Sequence, residues 1–233
     1  MKIVGLSDIH GSLHLGEMPK ADVYCICGDI MPLDIQRDFL RSIVWLSSTF
    51  FPWCQQLPCE KVFLVAGNHD FVFERLMTDD HGNHRKAREV MKLFMQPTDK
   101  ICYLENNEKV YKGVKFYGSP WCPDLANWAF YKDWEGLQKE FRKIQGDVDV
   151  LLTHCPPRID DYGTVLEGWG YGSNYGCQEL ADRLQKVHPK LHLFGHVHSG
   201  LHEPKNINGT TFCNVSLKNE NYNVTYYPRE FEI

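Results

Sequence analysis

The sequence predicts an α/β protein with two mixed β-sheets and helices on their outer faces. Three observations predict it. Short apolar runs alternate with helical patterns through the first part of the chain, as parallel strands joined by crossover helices require. The middle opens on a hairpin and then resumes the strand–helix–strand alternation. The C-terminal part carries alternating β-branched segments around a hairpin turn signal and is expected to add mainly antiparallel strands.

Each element can be placed in order. KIVGL (2–6), DVYCIC (22–27) and KVFLVA (61–66) are strand candidates. Between the last two, Ile35, Phe39, Leu40, Ile43, Val44 and Leu46 recur at helical spacing, which predicts a helix over 34–48 capped by Asp34. A second helix is expected over 84–94. KVYKGVKFYGSPW (109–121) reads as a hairpin turning near Lys112-Gly113. A helix over 134–144, the strand DVDVLLT (147–153), an amphipathic helix in GCQELADRLQKV (176–187) and the strand KLHLF (190–194) come next. Asn208-Gly209 turns the chain into TTFCNVS (210–216), with YNVTYYP (222–228) as a last strand candidate. No repeat, low-complexity tract or linker interrupts the pattern, so 1–233 is expected to be one domain.

Composition narrows the function classes. Of 233 residues, 43% are hydrophobic and 24% charged, enough for a sizeable core. The net charge of -5 is not the basic footprint of a nucleic-acid binder, so no stable nucleic-acid complex is expected. No stretch has the apolar length of a membrane span, and MKIVGLSDIHG runs into a strand pattern without a secretory signal. A cytoplasmic protein without a membrane partner is therefore expected. Nine cysteines, several in apolar runs and none in a CxxC pair, predict buried reduced thiols. In that compartment the sequons at Asn208, Asn214 and Asn223 carry no meaning.

The residues just beyond the strands carry the chemistry. Asp8 and His10 come after the first strand, Asp29 after the second, and Asn68, His69 and Asp70 after the third. His154 comes after DVLLT, and His196 and His198 after KLHLF. In extended backbone, residues two apart point to the same side, so His196 and His198 can address one spot. Taken singly, each ending reads as a turn or an ordinary histidine. Five together, at the strand ends where α/β sheets bind ligands, point to a metal site.

Oxygen and imidazole donors suit borderline divalent ions: manganese first, with iron, zinc, cobalt and nickel compatible. Seven candidate ligands exceed the needs of one open site and suit two ions roughly 3.5–4 Å apart, bridged by a carboxylate. Two aspartates against two dications leave a positive centre, which attracts phosphate and lowers the pKa of a bridging water.

The ordered set D-x-H, G-D, G-N-H-D, H and G-H-x-H resembles the calcineurin-like metallophosphoesterases, from Asp8 to His198. That resemblance implies a four-layer α/β/β/α sandwich. It implies one ion held by Asp8, His10 and His198, a second by Asn68, His154 and His196, and Asp29 bridging them. It implies that His69 protonates the leaving oxygen and that Asp70 orients His69. CYLENNEKVYKGVKFYGSPW, VLLTHCPP, GCQEL and PKLHLFGHVHSG further resemble the small brain-type metallophosphoesterase-domain group, which is similar to class III cyclic nucleotide phosphodiesterases. This implies attack by a metal-bridging hydroxide on small phosphodiesters, with 2′,3′- and 3′,5′-cyclic nucleotides as candidate substrates. The rival readings are a phosphomonoesterase and a low-activity scaffold presenting a protein-interaction surface. Some animal members of that group carry Gly where this chain has His196 and are feeble enzymes; here the ligand set is complete.

A few positions depart from the pattern or stand outside it. Cys155 stands where that group usually has Gly, and packing is its expected role. GDIMPLD lacks the Arg expected of serine/threonine protein phosphatases. Trp121, Trp128, Phe130 and Trp134 are candidates for stacking a base, with Trp121 and Trp128 foremost, although aromatics more often fill cores. Arg158 is a candidate phosphate contact. His14, His81, His84, His188, His192 and His202 match no motif position, and His192 is expected as a satisfied core residue.

Overall fold

The protein is described by a computed structural model covering residues 1–78, 89 and 99–233; the helix expected over 84–94 falls almost wholly outside these. The first sheet runs β11-β1-β2-β3-β4, with β1 Lys2–Leu6, β2 Val23–Cys27, β3 Lys61–Val65, β4 Ile101–Tyr103 and β11 Arg229–Glu232. The second runs β5-β6-β7-β8-β10-β9, with β5 Asn107–Tyr111, β6 Val114–Ser119, β7 Val150–Thr153, β8 Leu191–Phe194, β9 Lys205–Ile207 and β10 Thr210–Asn214. Both sheets are mixed. β1 to β4 are parallel with β11 antiparallel at the edge, while β6, β7, β8 and β10 are parallel between antiparallel β5 and β9.

Period-two alternation builds the layers. In β2, Val23, Cys25 and Cys27 face the second sheet, where Phe116, Val150, Leu152, Leu191 and Leu193 complete one core; the rings of Phe63 and Phe116 stack across it at 4.3 Å. The alternate residues Tyr24 and Ile26 belong to an outer core with Phe50, Phe51 and Cys54. On the far side, α4 (Trp134–Phe141) and α5 (Gln178–Leu184) bury Leu137, Phe141, Leu180 and Leu184. The result is the expected sandwich of two mixed sheets flanked by helices.

Several local expectations need correction. The helix begins at Phe39, not at 34, and its cap is Asp38, whose carboxylate accepts the Arg41 N–H at 3.0 Å; Asp34 lies in the preceding turns and pairs with Arg41. Beyond α1 (Phe39–Trp45) the chain makes a π-helical turn, Leu46–Phe50, and continues as α2 (Phe51–Gln56). Pro52 has no N–H to give the preceding turn, which accounts for the widened register there. YNVTYYP is not a strand. Asn219 Oδ1 accepts the N–H groups of Asn221 and Asn223, Tyr222 takes φ 60°, and pairing with β1 starts only at Arg229. The C-terminal additions are also less antiparallel than expected, since β10 joins β8 in parallel. The hairpin turns hold: Lys112-Gly113 and Asn208-Gly209 take φ 48°, 80° and 52°, 87°. A short third helix, α3 (Phe71–Thr78), follows the third motif.

Candidate metal centre

The candidate ligands sit on loops leaving the C-terminal ends of neighbouring parallel strands. β1, β2 and β3 of one sheet supply Asp8, His10, Asp29 and Asn68; β7 and β8 of the other supply His154, His196 and His198. The loops are laced together by backbone bonds: Asp8 N–H to the Gly28 carbonyl, His10 N–H to that of Asp29, and Gly195 N–H to that of His154. Asp8, His10, Asp29 and His196 all take left-handed backbone angles (φ 54°, 42°, 52° and 72°), a concentration of strain that folded proteins keep for functional loops.

The motif glycines are there for close approach. A Cβ on Gly195 would lie 2.1 Å from Asp8 Oδ2, and one on Gly67 would lie 2.2 Å from Asp29 Oδ1. With those spaces open, each carboxylate is aimed by the backbone of another motif. The His196 N–H donates to Asp8 Oδ2 at 3.0 Å, and the His69 N–H donates to Asp29 Oδ1 at 2.8 Å.

The remaining oxygens face the imidazoles. Asp29 Oδ2 lies 3.3 Å from His154 Nε2 and 3.8 Å from Nε2 of both His10 and His69. Asp8 Oδ1 lies 3.4 Å from His198 Nε2. Asn68 Oδ1 lies 2.9 Å from both His154 Nε2 and His196 Nδ1. Asp8, His10 and His198 offer donor atoms within 4.8 Å of one another, and Asp8, Asp29 and His154 do the same. Two subsets implied by the resemblance are thus assembled, with Asp29 between them. His69 also groups with His10 and Asp29, so geometry alone does not set it apart from the ligands.

Electrostatics fits a cation. Among the described residues both ring nitrogens of buried His10 lack a hydrogen-bond partner, a costly arrangement that a metal bond would relieve. Burial pushes His10 down to about 3 against the pull of Asp29 and Asp8, keeping the ring neutral. Burial, with the charge of His154, does the same to His196, also to about 3. Burial would raise the Asp8 carboxyl, but the hydrogen bond and charge of His198 hold it below its usual range. Asp29 is likewise held low against burial, by the charges of His154 and His69. The oxygens are ionised and the His10 and His196 rings neutral, the forms that bind metal; against burial, Asp29 raises His154 to about 9 and Asp8 raises His198, so these two rings must give up a proton to a metal ion.

His69 and Asp70 depart from the expected pairing. The His69 Nδ1 is paired with the Gln36 side-chain oxygen, so Gln36, not Asp70, orients the ring. The buried Asp70 carboxylate instead accepts the N–H groups of Ile30, Met31 and Gly67, at 3.0, 3.0 and 2.8 Å, and ties the second-motif loop to the third. Burial, with the charge of Asp29, raises the Asp70 carboxyl above its usual range.

Other candidates scatter. Trp128 packs on His69 with ring centroids 4.4 Å apart and lines the cavity over the site, whereas Trp121 and Phe130 are buried in the core and Trp134 faces a separate cavity. Arg158 also lines that separate cavity and bonds the Asn174 carbonyl at 3.2 Å, away from the metal ligands. Cys155 is buried with its thiol on the Trp121 carbonyl, as packing predicts. The thiol that reaches the ligands is Cys122, whose Sγ lies within 4.8 Å of donor nitrogens of His154 and His196; burial raises it above the usual thiol range. All nine cysteines are free. His192 is buried with Nε2 on Thr153 Oγ1 at 2.9 Å, but its Nδ1 has no partner among the described residues, so this core histidine is only half satisfied. Gln36 and the 218–222 segment were invisible to motif reasoning. Buried Lys218 donates to Ser12 Oγ and the Tyr222 carbonyl, the Asn219 carbonyl holds His198 Nδ1, and the Tyr222 ring packs on His10 and His198.

Known proteins share this pattern. The profile of the calcineurin-like phosphoesterases matches residues 1–200. The chain belongs to this family. Among its relatives is metallophosphoesterase domain-containing protein 1 from Homo sapiens, 29% identical over 234 residues, covering 95% of this chain and 67% of the relative. A UPF0046 protein of Caenorhabditis elegans is 28% identical over 242 residues, covering 100% of this chain and 75% of its own. The same fold is seen in the phosphopantetheinyl hydrolase of Mycobacterium tuberculosis (TM-score 0.57, 16% identity, 95% of this chain and 90% of that one). It recurs in TT1561 of Thermus thermophilus (TM-score 0.57, 15% identity, 91% and 88%). The family match ends at residue 200, so Lys218, Asn219 and Tyr222 lie beyond it. No helix among the described residues is long and apolar enough to cross a membrane.

Proposed function

We propose that this calcineurin-like phosphoesterase is a two-metal phosphodiesterase acting on small phosphodiesters, cyclic nucleotides among them, with manganese as its working ion. The observation that carries the reading is the meeting of His154 Nε2 and His196 Nδ1 at Asn68 Oδ1, beside the Asp8–His10–His198 cluster and with Asp29 between them. When bound, the ions supply Lewis-acid charge for the phosphoryl oxygens and a water acidic enough to react near neutrality.

The chain's own residues do the rest. Asn68 is neutral, so the second subset adds no negative charge to oppose an incoming phosphate. Asp8 and Asp29 stay ionised and are aimed by the backbone of His196 and His69. Gln36 accepts the Nδ1 proton of His69, leaving Nε2 turned to the site; burial holds the ring below its usual range against the charge of Asp29, so the proton that Nε2 gives is one it first takes up from solvent. From Nε2 it passes to the departing ester oxygen. Asp70 acts through the loops it ties, positioning Asp29 and Asn68.

The test is hydrolysis of bis(4-nitrophenyl) phosphate beside 4-nitrophenyl phosphate, using protein stripped of metal and then given manganese. Chelator-sensitive cleavage favouring the diester is expected. Preference for the monoester would move the assignment to phosphomonoesterase. Silence on both with two ions bound would favour a scaffold.

A further inference from the structure

The site opens into a cavity of ≈ 290 Å³ that reaches well past the metal ligands. Its outer walls are Leu125, Trp128, Val165, Trp169, Tyr175 and Tyr222. Trp128 lies on His69, and Tyr222 lies edge-on to His10 and His198 at 5.1 and 5.0 Å, so both are fixed by the site itself. Trp169 is different: it lines the same cavity and is 91% exposed. An indole left in water forgoes a large burial gain, so its position calls for an explanation other than stability.

The loop that carries it is built to present it. Its base is closed by Tyr175 N–H to the Gly163 carbonyl, Val165 N–H to that of Ser173, and Asn174 Nδ2 to Thr164 Oγ1. Leu166 N–H donates to Ser199 Oγ, which in turn donates to Glu220, so the loop is tied to the residue after His198. At the tip, Gly168, Gly170 and Gly172 take φ 75°, 87° and 83° around Trp169 and Tyr171. A Cβ on Gly172 would meet nothing within 4 Å, and one on Gly170 only the Tyr175 hydroxyl at 3.9 Å. Gly170 and Gly172 therefore serve the backbone path and not packing, while a Cβ on Gly168 would also press on Glu220 at 3.3 Å; together they bend the chain to hold Trp169 out at the cavity.

Charge decides what fits. Among the described residues no Lys or Arg lines this cavity; apart from the histidines and tyrosines its ionisable groups there are Asp29 and Glu220. Arg158 and Lys132 face the separate cavity. A second anionic group has no partner here and would be repelled by Glu220.

We propose that this aromatic-walled extension is the subsite for the organic group of the substrate, an uncharged planar ring borne on the phosphoester and stacked on Trp169. The inference rests on the phosphoesterase reading and adds the kind of ester group it takes. Described walls without Lys or Arg and an exposed indole match a flat, neutral, polarisable ligand, whereas a polyphosphate or a second phosphate has no counter-charge to meet.

The test is calorimetric binding to the manganese-loaded protein, which does not depend on turnover. Phenylphosphonate and methylphosphonate carry the same anionic head and differ only in the ring. Phenylphosphonate is expected to bind about tenfold tighter, from the usual strength of ring stacking on an aromatic side chain. In Trp169→Ala that preference should collapse while methylphosphonate affinity stays unchanged, and Trp169→Phe should restore most of it. An unchanged preference in Trp169→Ala overturns the proposal. So does an equal loss for both ligands, which would place Trp169 at the anion, and so does failure of both ligands to bind. Ring preference without hydrolysis of any 4-nitrophenyl ester would sink the hydrolase reading alone; hydrolysis without ring preference would sink only the subsite.

Discussion

Gln36 and His69 are joined side chain to side chain, the amide oxygen of one to Nδ1 of the other, leaving His69 Nε2 3.8 Å from Asp29 Oδ2. The pair fixes both the ring plane and the tautomer. Gln36 belongs to the turns before α1, a segment without a motif, yet it sets which nitrogen meets the substrate. His69→Ala should keep both ions, measured by elemental analysis, and lower kcat by about 10²–10⁴-fold. Gln36→Ala should keep both ions and lower kcat by about tenfold, the usual scale for a residue that orients a catalytic group. Loss of metal in His69→Ala would make His69 a ligand instead.

Asp29→Asn tests the bridging position. Asparagine can still accept the His69 N–H, so the fold is kept while the charge between the two subsets is lost. Metal content should fall below two ions per chain and diester turnover should nearly vanish. Full turnover in a variant proven to hold no metal would refute the two-metal reading.

Gly195→Ala tests the close approach. The added methyl meets Asp8 Oδ2 and Ser7 Oγ at 2.1 Å, so the loop or the carboxylate must move. The expected cost is about 1–3 kcal/mol of stability, read in urea melts, together with weakened binding of the ion held by Asp8. A variant with wild-type midpoint and metal content would show that the loop gives way freely.

His192 gives a pH signature away from the metal ligands. Burial alone holds it down, from 6.5 to about 3, so the folded state resists a protonation that the unfolded chain accepts. Its stabilising share is therefore complete above pH 6.5 and is lost as pH falls from there towards 3, at about 1.4 kcal/mol per pH unit. Melting midpoints between pH 7 and 4.5 should fall less steeply in His192→Leu than in wild type. Parallel slopes would mean that His192 takes up its proton in the folded state.

The sequence made the candidate ligands legible because metal chemistry restricts residue type and the strand ends restrict place. Asp8, His10, Asp29, Asn68, His154, His196 and His198 could be named before any coordinates, and they do converge. The sheets were legible for a related reason: runs such as VYCIC alternate between two apolar faces. What escaped was whatever depends on one side chain meeting another from a distant loop. Gln36 reaches His69 across 33 positions, and Lys218 reaches Ser12 across 206, with no local pattern to betray either. The resemblance implies that Asp70 orients His69, whereas a buried carboxylate goes where unpaired N–H groups are most concentrated. The YNVTYYP segment has strand composition, but Asn219 captures its backbone first.

The division of donors between the sheets has a mechanical consequence. Four candidate ligands hang from one sheet and three from the other, so any ion they shared would be a cross-link between halves of the molecule, and Asp8 with His198 would close a loop over most of the chain. Loss of metal should then loosen the seam between β1–β3 and β7–β8 before the outer strands, with amide exchange accelerating there first. The metal content of a sample would thereby set how firmly the two halves grip each other, and not only whether the site can turn over.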